Sequence, residues 1–280
     1  MQSGESRVTI PALQQMKRAG QKIVGVVAWD FQIAQIVDRA GVDIVSVGDT
    51  VGTNLWGHPN PLAVTMEEMI LVSKAVCRGV KRALVSCDIP FGPLQEGIDS
   101  VLRAAIRLVK EAGADLIKLD GAADFPEAVR AIVRAGIPVF AQFGMTPQTA
   151  LEYGISYSDM SKPGAQVPAA MTAKFVEEAK CLEAAGASLL DFTLSGPVAG
   201  PAVVAAVSIP VVGGLGGGPW LDGRMRMAHA AIGYAASALD AQTETYANVA
   251  RVTLEAITAY AEDVRAGRQI KGGILARPAG

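Results

Sequence analysis

The sequence has few of the residues that build disulfide frameworks, zinc sites or nucleic-acid-binding surfaces. Its 280 residues include 3 cysteines and 2 histidines, and Cys77, Cys87 and Cys181 lie far apart without CxxC spacing. Neither a disulfide framework nor a zinc site is predicted, and a reducing cytoplasm fits best. The 25 basic and 27 acidic residues are well mixed, so nothing indicates binding to nucleic acid or to an anionic membrane.

Long apolar runs are also missing. The first residues, MQSGESRVTI, contain no apolar signal core, and no run approaches the roughly 18 apolar residues of a membrane span. We therefore predict a soluble protein whose partners are small molecules. Because hydrophobic residues make up 50% of the chain, it can bury a large core. We expect one domain over residues 1–280, with loose termini at about 1–6 and 272–280.

A short phrase recurs along the chain, as AGVDIV (40–45), AGADLI (112–117), AGIPVF (135–140) and AGASLL (185–190). Each copy follows a segment whose apolar residues have helical spacing, and each leads into a short apolar run. The glycine predicts a helix C-cap in the left-handed region. The phrase therefore predicts helices that alternate with buried parallel strands.

The apolar runs predict strands at 23–29, 44–48, 83–88, 116–120, 139–143, 188–192 and 209–213. An eighth strand has a weaker pattern and would lie near 224–229 or in the following AAIGYAASAL segment. Units of about 30 residues favour a (β/α)8 TIM barrel, an α/β fold, over an open doubly wound sheet. We expect an extra N-terminal helix around 10–19 and a long C-terminal helix near 242–266 to flank it.

Polar and charged residues stand at the predicted carboxyl ends of the strands, where barrels build their active sites. They are Asp30, Asp49, Asp88, Lys118, Asp120, Gln142 and Asp191. Carboxylates gathered without histidine or cysteine suit Mg²⁺ or Mn²⁺ better than zinc. Such carboxylates raise one another's pKa unless a cation or a lysine offsets them, and Lys118 is placed to do so. A divalent ion there would polarise a 2-oxo acid, so that a nearby base removes the adjacent proton.

Structural roles are the alternative for several polar residues. Asp30 precedes the helical segment FQIAQIVDRAG and suits a helix N-cap. The glycine-rich segment at 211–219 either binds phosphate through backbone N–H groups or forms a tight turn, and it lacks the GK[ST] of a P-loop. His58 is predicted to be a loop residue, and Ser195 has no nearby histidine that would activate it as a nucleophile.

Motifs over residues 8–268 resemble those of the ketopantoate hydroxymethyltransferase family. They are VGDTVG (47–52), PLAVTMEEMI (61–70), RGVKRALVSCDIPFG (78–92), KEAGADLIKLDG (110–121), AGIPVFAQFGMTPQ (135–148), SIPVVGGLGGGP (208–219) with DG (222–223), and AYAEDVRAGR (259–268). The resemblance implies a TIM barrel, Mg²⁺ dependence, a homo-oligomer that is often a decamer, and 5,10-methylenetetrahydrofolate as co-substrate. The acceptor would be 3-methyl-2-oxobutanoate.

The resemblance also implies roles for individual residues. Asp49 and Asp88 would be metal ligands, and Asp120 stands where the family usually has a glutamate that reaches the metal region. Thr50 replaces the family's usual serine and would offer its hydroxyl to the substrate carboxylate. Lys118 matches the substrate-binding lysine. The residues expected to line the substrate site are Asp49, Thr50, Asp88, Lys118 and Gln142.

Four segments depart from the family pattern. The family's glutamate base is Asp191 here, one methylene shorter, and its usual histidine is Gln142, which carries no positive charge near neutral pH. Thr-Ala-Tyr-Asp becomes VAWD at 27–30, and the segment from 222 reads DGRMRMAHAA without the family's second acid. These changes affect which substrate the site accepts, because they alter the space and the charge around the expected base.

Three functional hypotheses follow. The first is Mg²⁺-dependent transfer of a hydroxymethyl group to a 2-oxo acid, with Asp191 as the base and Lys118 holding the carboxylate or the enolate. The second is an aldolase or lyase that acts on another 2-oxo acid without folate, in a barrel of the phosphoenolpyruvate mutase and isocitrate lyase type. The third is a non-catalytic barrel that binds a 2-oxo acid or serves as a partner subunit.

Overall fold

A computed structural model of the chain describes residues 6–162, 164–240 and 244–272. Eight parallel strands form a closed barrel in sequence order, so that β8 pairs with β1. The strands are Ile23–Val27 (β1), Ile44–Val47 (β2), Leu84–Asp88 (β3), Leu116–Leu119 (β4), Val139–Gly144 (β5), Leu189–Thr193 (β6), Val211–Gly213 (β7) and Gly223–Met227 (β8). The predicted (β/α)8 barrel is confirmed.

The α-helices alternate with these strands. They are Ile10–Arg18 (α1), Phe31–Arg39 (α2), Val51–Asn54 (α3), Met66–Gly79 (α4), Ile98–Arg107 (α5), Pro126–Arg134 (α6), Thr172–Ala184 (α7), Ala199–Ala206 (α8), Ala228–Ala231 (α9) and Val249–Arg265 (α10). A π-helical turn, Leu108–Ala112, continues α5. Short 3-10 turns lie at Pro61–Ala63, Ala122–Asp124, Ala150–Tyr153, Asp159–Ser161, Ala169–Met171 and Ala236–Leu239. Within the described ranges, no helix is long and apolar enough to cross a bilayer.

The chain divides into two compact units, Met1–Ala228 and His229–Gly280. The first contains the whole barrel. In the second, α10 begins after Asn248, whose side chain accepts the Arg251 N–H at 2.9 Å. The prediction of one domain for the whole chain stays a prediction.

The predicted strand boundaries agree with the structure to within two residues, whereas the start of the long C-terminal helix does not. β7 begins at Val211 rather than at 209, because Pro210 has no N–H to donate to a ladder. β8 covers Gly223–Met227, so the eighth strand lies where it was expected, near 224–229, and not in the AAIGYAASAL segment. The long helix starts at Val249 rather than near 242, because Asn248 caps it. Residues 242–243, and the predicted loose termini except positions 6 and 272, lie outside the described residues.

The recurring AG phrase ends helices as predicted. Each of its glycines has a positive φ, namely 82° at Gly41, 87° at Gly113, 83° at Gly136 and 99° at Gly186. Only glycine adopts this conformation without steric cost, so each copy of the phrase stops its helix and turns the chain into the next strand.

A second role of the phrase was missed from the sequence. In the copies that contain aspartate, the carboxylate accepts a backbone N–H from the preceding strand: Asp43 from Val24, and Asp115 from Val85, both at 2.9 Å. These acids therefore fasten neighbouring strands at their amino ends.

Inward-facing apolar side chains fill the amino end of the barrel. This plug consists of Ile23, Ile44, Leu84, Leu116, Phe140, Leu189, Val212 and Met225. Side chains alternate along a strand, so the residues two positions further on also face inward, and they include Lys118, Gln142 and Asp191. Because the plug closes one end, these polar groups open only toward the carboxyl ends of the strands.

We expect Gly223→Ala to destabilise the barrel by about 2 kcal/mol or more, because a Cβ at this position would overlap the carbonyl oxygen of Ile23 on β1. The control is Gly214→Ala, whose Cβ would lie 3.4 Å from the Cβ of Met225, an ordinary contact. Chemical denaturation compares the two variants. Equal free energies of unfolding would contradict a tight β1–β8 closure.

Candidate active site

Five ionisable side chains lie buried together at the carboxyl end of the barrel. They are Asp49, Asp88, Lys118, Asp120 and Asp191, hereafter the charged cluster, and each is at most 9% exposed. Asp88, Lys118 and Asp191 belong to β3, β4 and β6, whereas Asp49 and Asp120 follow the ends of β2 and β4. The sequence predicted all five at this end. Burying so many charges is costly unless they compensate one another.

Lys118 connects two of the acids. Its Nζ lies 3.4 Å from Oδ2 of Asp88 and 3.3 Å from Oδ2 of Asp191. The same Nζ stands 5.8 Å above the ring centroid of Phe140, in the plug below. Burial lowers the pKa of Lys118, but Asp88, Asp191 and the other acids raise it more, so that the net shift is upward. Lys118 is therefore protonated at neutral pH.

Lys118 offsets only part of the cost of burying the acids, because the pKa of three of them is still raised. Burial, reinforced by the charge of Asp120, raises the pKa of Asp49 to about 6. Burial likewise raises the pKa of Asp88 and of Asp120 to about 7, against the opposing effect of Lys118. These carboxyl groups therefore titrate closer to neutral pH than an exposed aspartate does. A further positive charge placed among them would favour the charged form.

Two carboxylate oxygens of the cluster have no hydrogen-bond partner. They are Oδ1 of Asp88 and Oδ1 of Asp120, and both are buried. An orphaned buried acceptor is unusual in a protein and calls for an explanation, of which an ion is one. Within the described residues, no group of three or more His, Cys, Asp or Glu side chains is arranged to enclose a metal. The donor set fits a hard cation that keeps part of its shell for water and substrate, as Mg²⁺ does.

Gln148 is a residue of the site that sequence reasoning missed. Its Nε2 donates to Oδ2 of Asp49 at 3.0 Å, and its backbone N–H donates to Oδ2 of Asp120 at 3.3 Å. The residue lies in the segment after β5, within the AQFGMTPQ motif. The motif could have marked Gln148 as a residue of the site, but it did not indicate which acids the side-chain amide contacts.

Gln142 faces the barrel interior and stands beside Asp191 in the β5–β6 register. Its Nε2 donates to Oγ1 of Thr193 at 2.9 Å. On the other side, Oδ1 of Asp191 accepts the backbone N–H of Gly214 at 3.4 Å. The glycine-rich segment therefore supplies at least one N–H group to an acid of the site.

Thr50 lies next to the cluster, at the beginning of α3. A Cβ placed on Gly48 would lie 3.0 Å from Oγ1 of Thr50 and 3.6 Å from Oδ2 of Asp88. Glycine at position 48 thus keeps open a space between this hydroxyl and this carboxylate. All the residues predicted for metal and substrate line this end of the barrel.

Two polar residues, Asp30 and Ser195, make contacts that give them structural rather than catalytic roles. Asp30 caps α2, where its Oδ1 accepts the Ile33 N–H at 2.8 Å, as predicted. Oγ of Ser195 accepts from Nε1 of Trp220 at 3.0 Å. This contact fixes the indole and explains Ser195 without a nucleophilic role.

The barrel is similar to solved structures of enzymes. It superimposes on 2,3-dimethylmalate lyase, a PEP mutase/isocitrate lyase superfamily member, with a TM-score of 0.59 at 15% identity, over 96% of this chain and 91% of the other. For phosphoenolpyruvate phosphomutase of Streptomyces platensis subsp. rosaceus the TM-score is 0.57 at 16% identity, over 92% of this chain and 88% of the other. At these identities the similarity shows the fold alone.

Sequence relatives are closer. The chain is 39% identical over 261 residues to a 3-methyl-2-oxobutanoate hydroxymethyltransferase of Cyanothece sp., covering 92% of this chain and 96% of the relative. For the enzyme of the same name from Moorella thermoacetica the identity is 38%, over 94% and 95%. The sequence model of ketopantoate hydroxymethyltransferase matches residues 7–269. The chain therefore belongs to the ketopantoate hydroxymethyltransferase family.

Proposed function

We propose that this protein transfers a hydroxymethyl group to 3-methyl-2-oxobutanoate, with 5,10-methylenetetrahydrofolate as donor, to give 2-dehydropantoate. Family membership supports the reaction, because the relatives carry the name of this activity. The observation that carries the proposal is the charged cluster, which gathers carboxylates with orphaned oxygens beside a protonated lysine. A homo-oligomer, a decamer by family analogy, and a cytoplasmic location stay predictions.

The cluster fits the divalent ion that this reaction implies, Mg²⁺ or Mn²⁺. Asp49 and Asp88 would hold it, with Asp120 beside them, and the orphaned oxygens of Asp88 and Asp120 support this assignment. When bound, the ion polarises the carbonyl of the 2-oxo acid and makes the C3 proton more acidic.

Asp191 is the group we assign as base. One of its oxygens accepts the C3 proton, and the electron pair left on the substrate is delocalised onto the keto oxygen as an enolate. Lys118, 3.3 Å from Oδ2 of Asp191, stabilises this negative charge or the substrate carboxylate. The enolate carbon then bonds to the one-carbon unit, whose two bonds to the folate nitrogens break, and water supplies the hydroxyl. The two folate nitrogens take up the remaining proton of that water and the proton that Asp191 removed from C3. Thr50 and Gln142 would bind and orient the 2-oxo acid.

A second candidate is an aldolase or lyase that acts on another 2-oxo acid without folate. The observation that favours it is the pair formed by Gln142 and Asp191, which stand side by side where the family pattern has histidine and glutamate. A shorter acid leaves room for a different nucleophile or electrophile.

A substrate comparison separates the candidates. The protein is incubated with Mg²⁺, 3-methyl-2-oxobutanoate and either methylenetetrahydrofolate or free formaldehyde, and 2-dehydropantoate is measured by mass spectrometry. We expect product with the folate. Product with formaldehyde but none with methylenetetrahydrofolate would contradict the folate donor. Binding of 2-oxo acids in calorimetry, without turnover of any of them, would indicate a non-catalytic barrel.

We expect Asp49→Asn and Asp88→Asn to abolish Mg²⁺-dependent exchange of the C3 proton of 3-methyl-2-oxobutanoate in D₂O, because each change removes a carboxylate ligand. Exchange is followed by proton NMR. The control is Asp30→Asn, at the same end of the barrel, since asparagine caps a helix about as well as aspartate. Unchanged exchange in both Asp49→Asn and Asp88→Asn would remove the proposed site.

The stability of the metal-free protein should fall as the pH rises from about 4 to about 8. The raised pKa values, about 6 for Asp49 and about 7 for Asp88 and Asp120, mean that the folded state binds more protons than the unfolded state in this window. Because a cation favours the ionised carboxylates, Mg²⁺ should raise Tm at pH 8 and have little effect at pH 5. Thermal unfolding with and without Mg²⁺ checks this, and an equal Mg²⁺ effect at both pH values would contradict it.

A further inference from the structure

Each of three acids in the charged cluster has one oxygen engaged by a hydrogen-bond donor of the protein. Lys118 approaches Oδ2 of Asp88, and Gln148 donates to Oδ2 of both Asp49 and Asp120. In Asp88 and Asp120 the other oxygen, Oδ1, has no partner. A carboxylate held by one oxygen cannot turn freely, so its second oxygen is aimed in a fixed direction.

Gln148, like Lys118, reaches two acids from different strands. Asp49 follows β2 and Asp120 follows β4, whereas Gln148 belongs to the segment after β5. Its side chain binds Asp49 and its backbone N–H binds Asp120, so one residue holds both acids. The amide is also neutral, so it orients both acids without neutralising the negative charge that attracts a cation.

We infer that Gln148 is a positioning residue of a divalent-cation site: its Nε2 aims Asp49, and its backbone N–H aims Asp120, so that both carboxylates are preorganised for the ion. This inference rests on the proposed function, since it takes the cation site as given. Partners that orient the ligands of a metal commonly change its affinity by about tenfold to a hundredfold when they are removed.

The test is Mn²⁺ affinity, measured without substrate by electron paramagnetic resonance, which reports free and bound ion separately. Gln148→Met keeps the approximate length and volume of the side chain but removes the donor to Asp49, and the backbone donor to Asp120 stays. We expect the dissociation constant to rise about tenfold or more, and the spectrum of the bound ion to change because one carboxylate is no longer fixed. A merely structural role would lower Tm without altering either readout.

The matched control is Gln166→Met, which makes the same change at an exposed glutamine in the segment before α7. It should leave Mn²⁺ affinity and the spectrum unchanged. Gln148→Asn is a second variant, because its shorter amide cannot reach Asp49 without a shift of the backbone, and it should weaken binding as Gln148→Met does. Tm of each metal-free variant is recorded, so that loss of fold is recognised.

The outcomes separate this inference from the proposed function. If Asp49→Asn weakens Mn²⁺ binding while Gln148→Met and Gln148→Asn bind like the unchanged protein, the role of Gln148 is wrong and the cation site stands. If the unchanged protein binds no Mn²⁺, or if Asp49→Asn binds it equally well, the cation site fails and the inference fails with it. Weakened binding in both Gln148 variants, with Gln166→Met unaffected, supports the inference.

Discussion

Repulsion among carboxylates that are buried together is the constraint on which the site depends. Asp49, Asp88, Asp120 and Asp191 share the carboxyl end of the barrel with Lys118, so their negative charges exceed the positive charge that Lys118 brings. Burial raises the pKa of three of them because water is excluded from the site. Such a cluster stores electrostatic free energy that a bound cation lowers. Repulsion among the carboxylates destabilises the metal-free protein. Because a hard cation relieves this repulsion, the same repulsion favours binding of the cation.

The barrel makes this arrangement possible by using acids in two different ways. At the amino ends of strands, Asp43 and Asp115 accept backbone N–H groups and hold neighbouring strands together. At the carboxyl ends, Asp88 and Asp120 each keep an oxygen without a partner. The apolar plug separates the two ends, so the fastening acids do not enter the site. An acid whose acceptor oxygens are all engaged by the protein is structural, whereas an acid with an orphaned oxygen is available to a ligand.

Much of the fold and part of the site follow from sequence patterns, because these patterns are local. The AG phrase predicts helix ends, since the left-handed region at Gly41 or Gly113 depends on one residue. Side-chain alternation along β4 then places Lys118 inward. By contrast, the contacts of Gln148 join residues that lie 99 and 28 positions away in the chain. No local pattern specifies them, because they depend on how the segment after β5 packs across the barrel end.

The departures from the family pattern act on one another because the residues are neighbours. Gln142 pairs with Asp191 across β5 and β6, and its amide is engaged by Thr193. A histidine at position 142 would bring a possible positive charge beside the acid, whereas glutamine brings none. The groups that approach Asp191 are therefore Lys118, whose Nζ lies 3.3 Å from Oδ2, and Gly214, whose N–H donates to Oδ1 at 3.4 Å. Because Lys118 also approaches Asp88, its charge couples the proposed base to a proposed ligand of the metal, and a change at either acid alters the charge balance at the other.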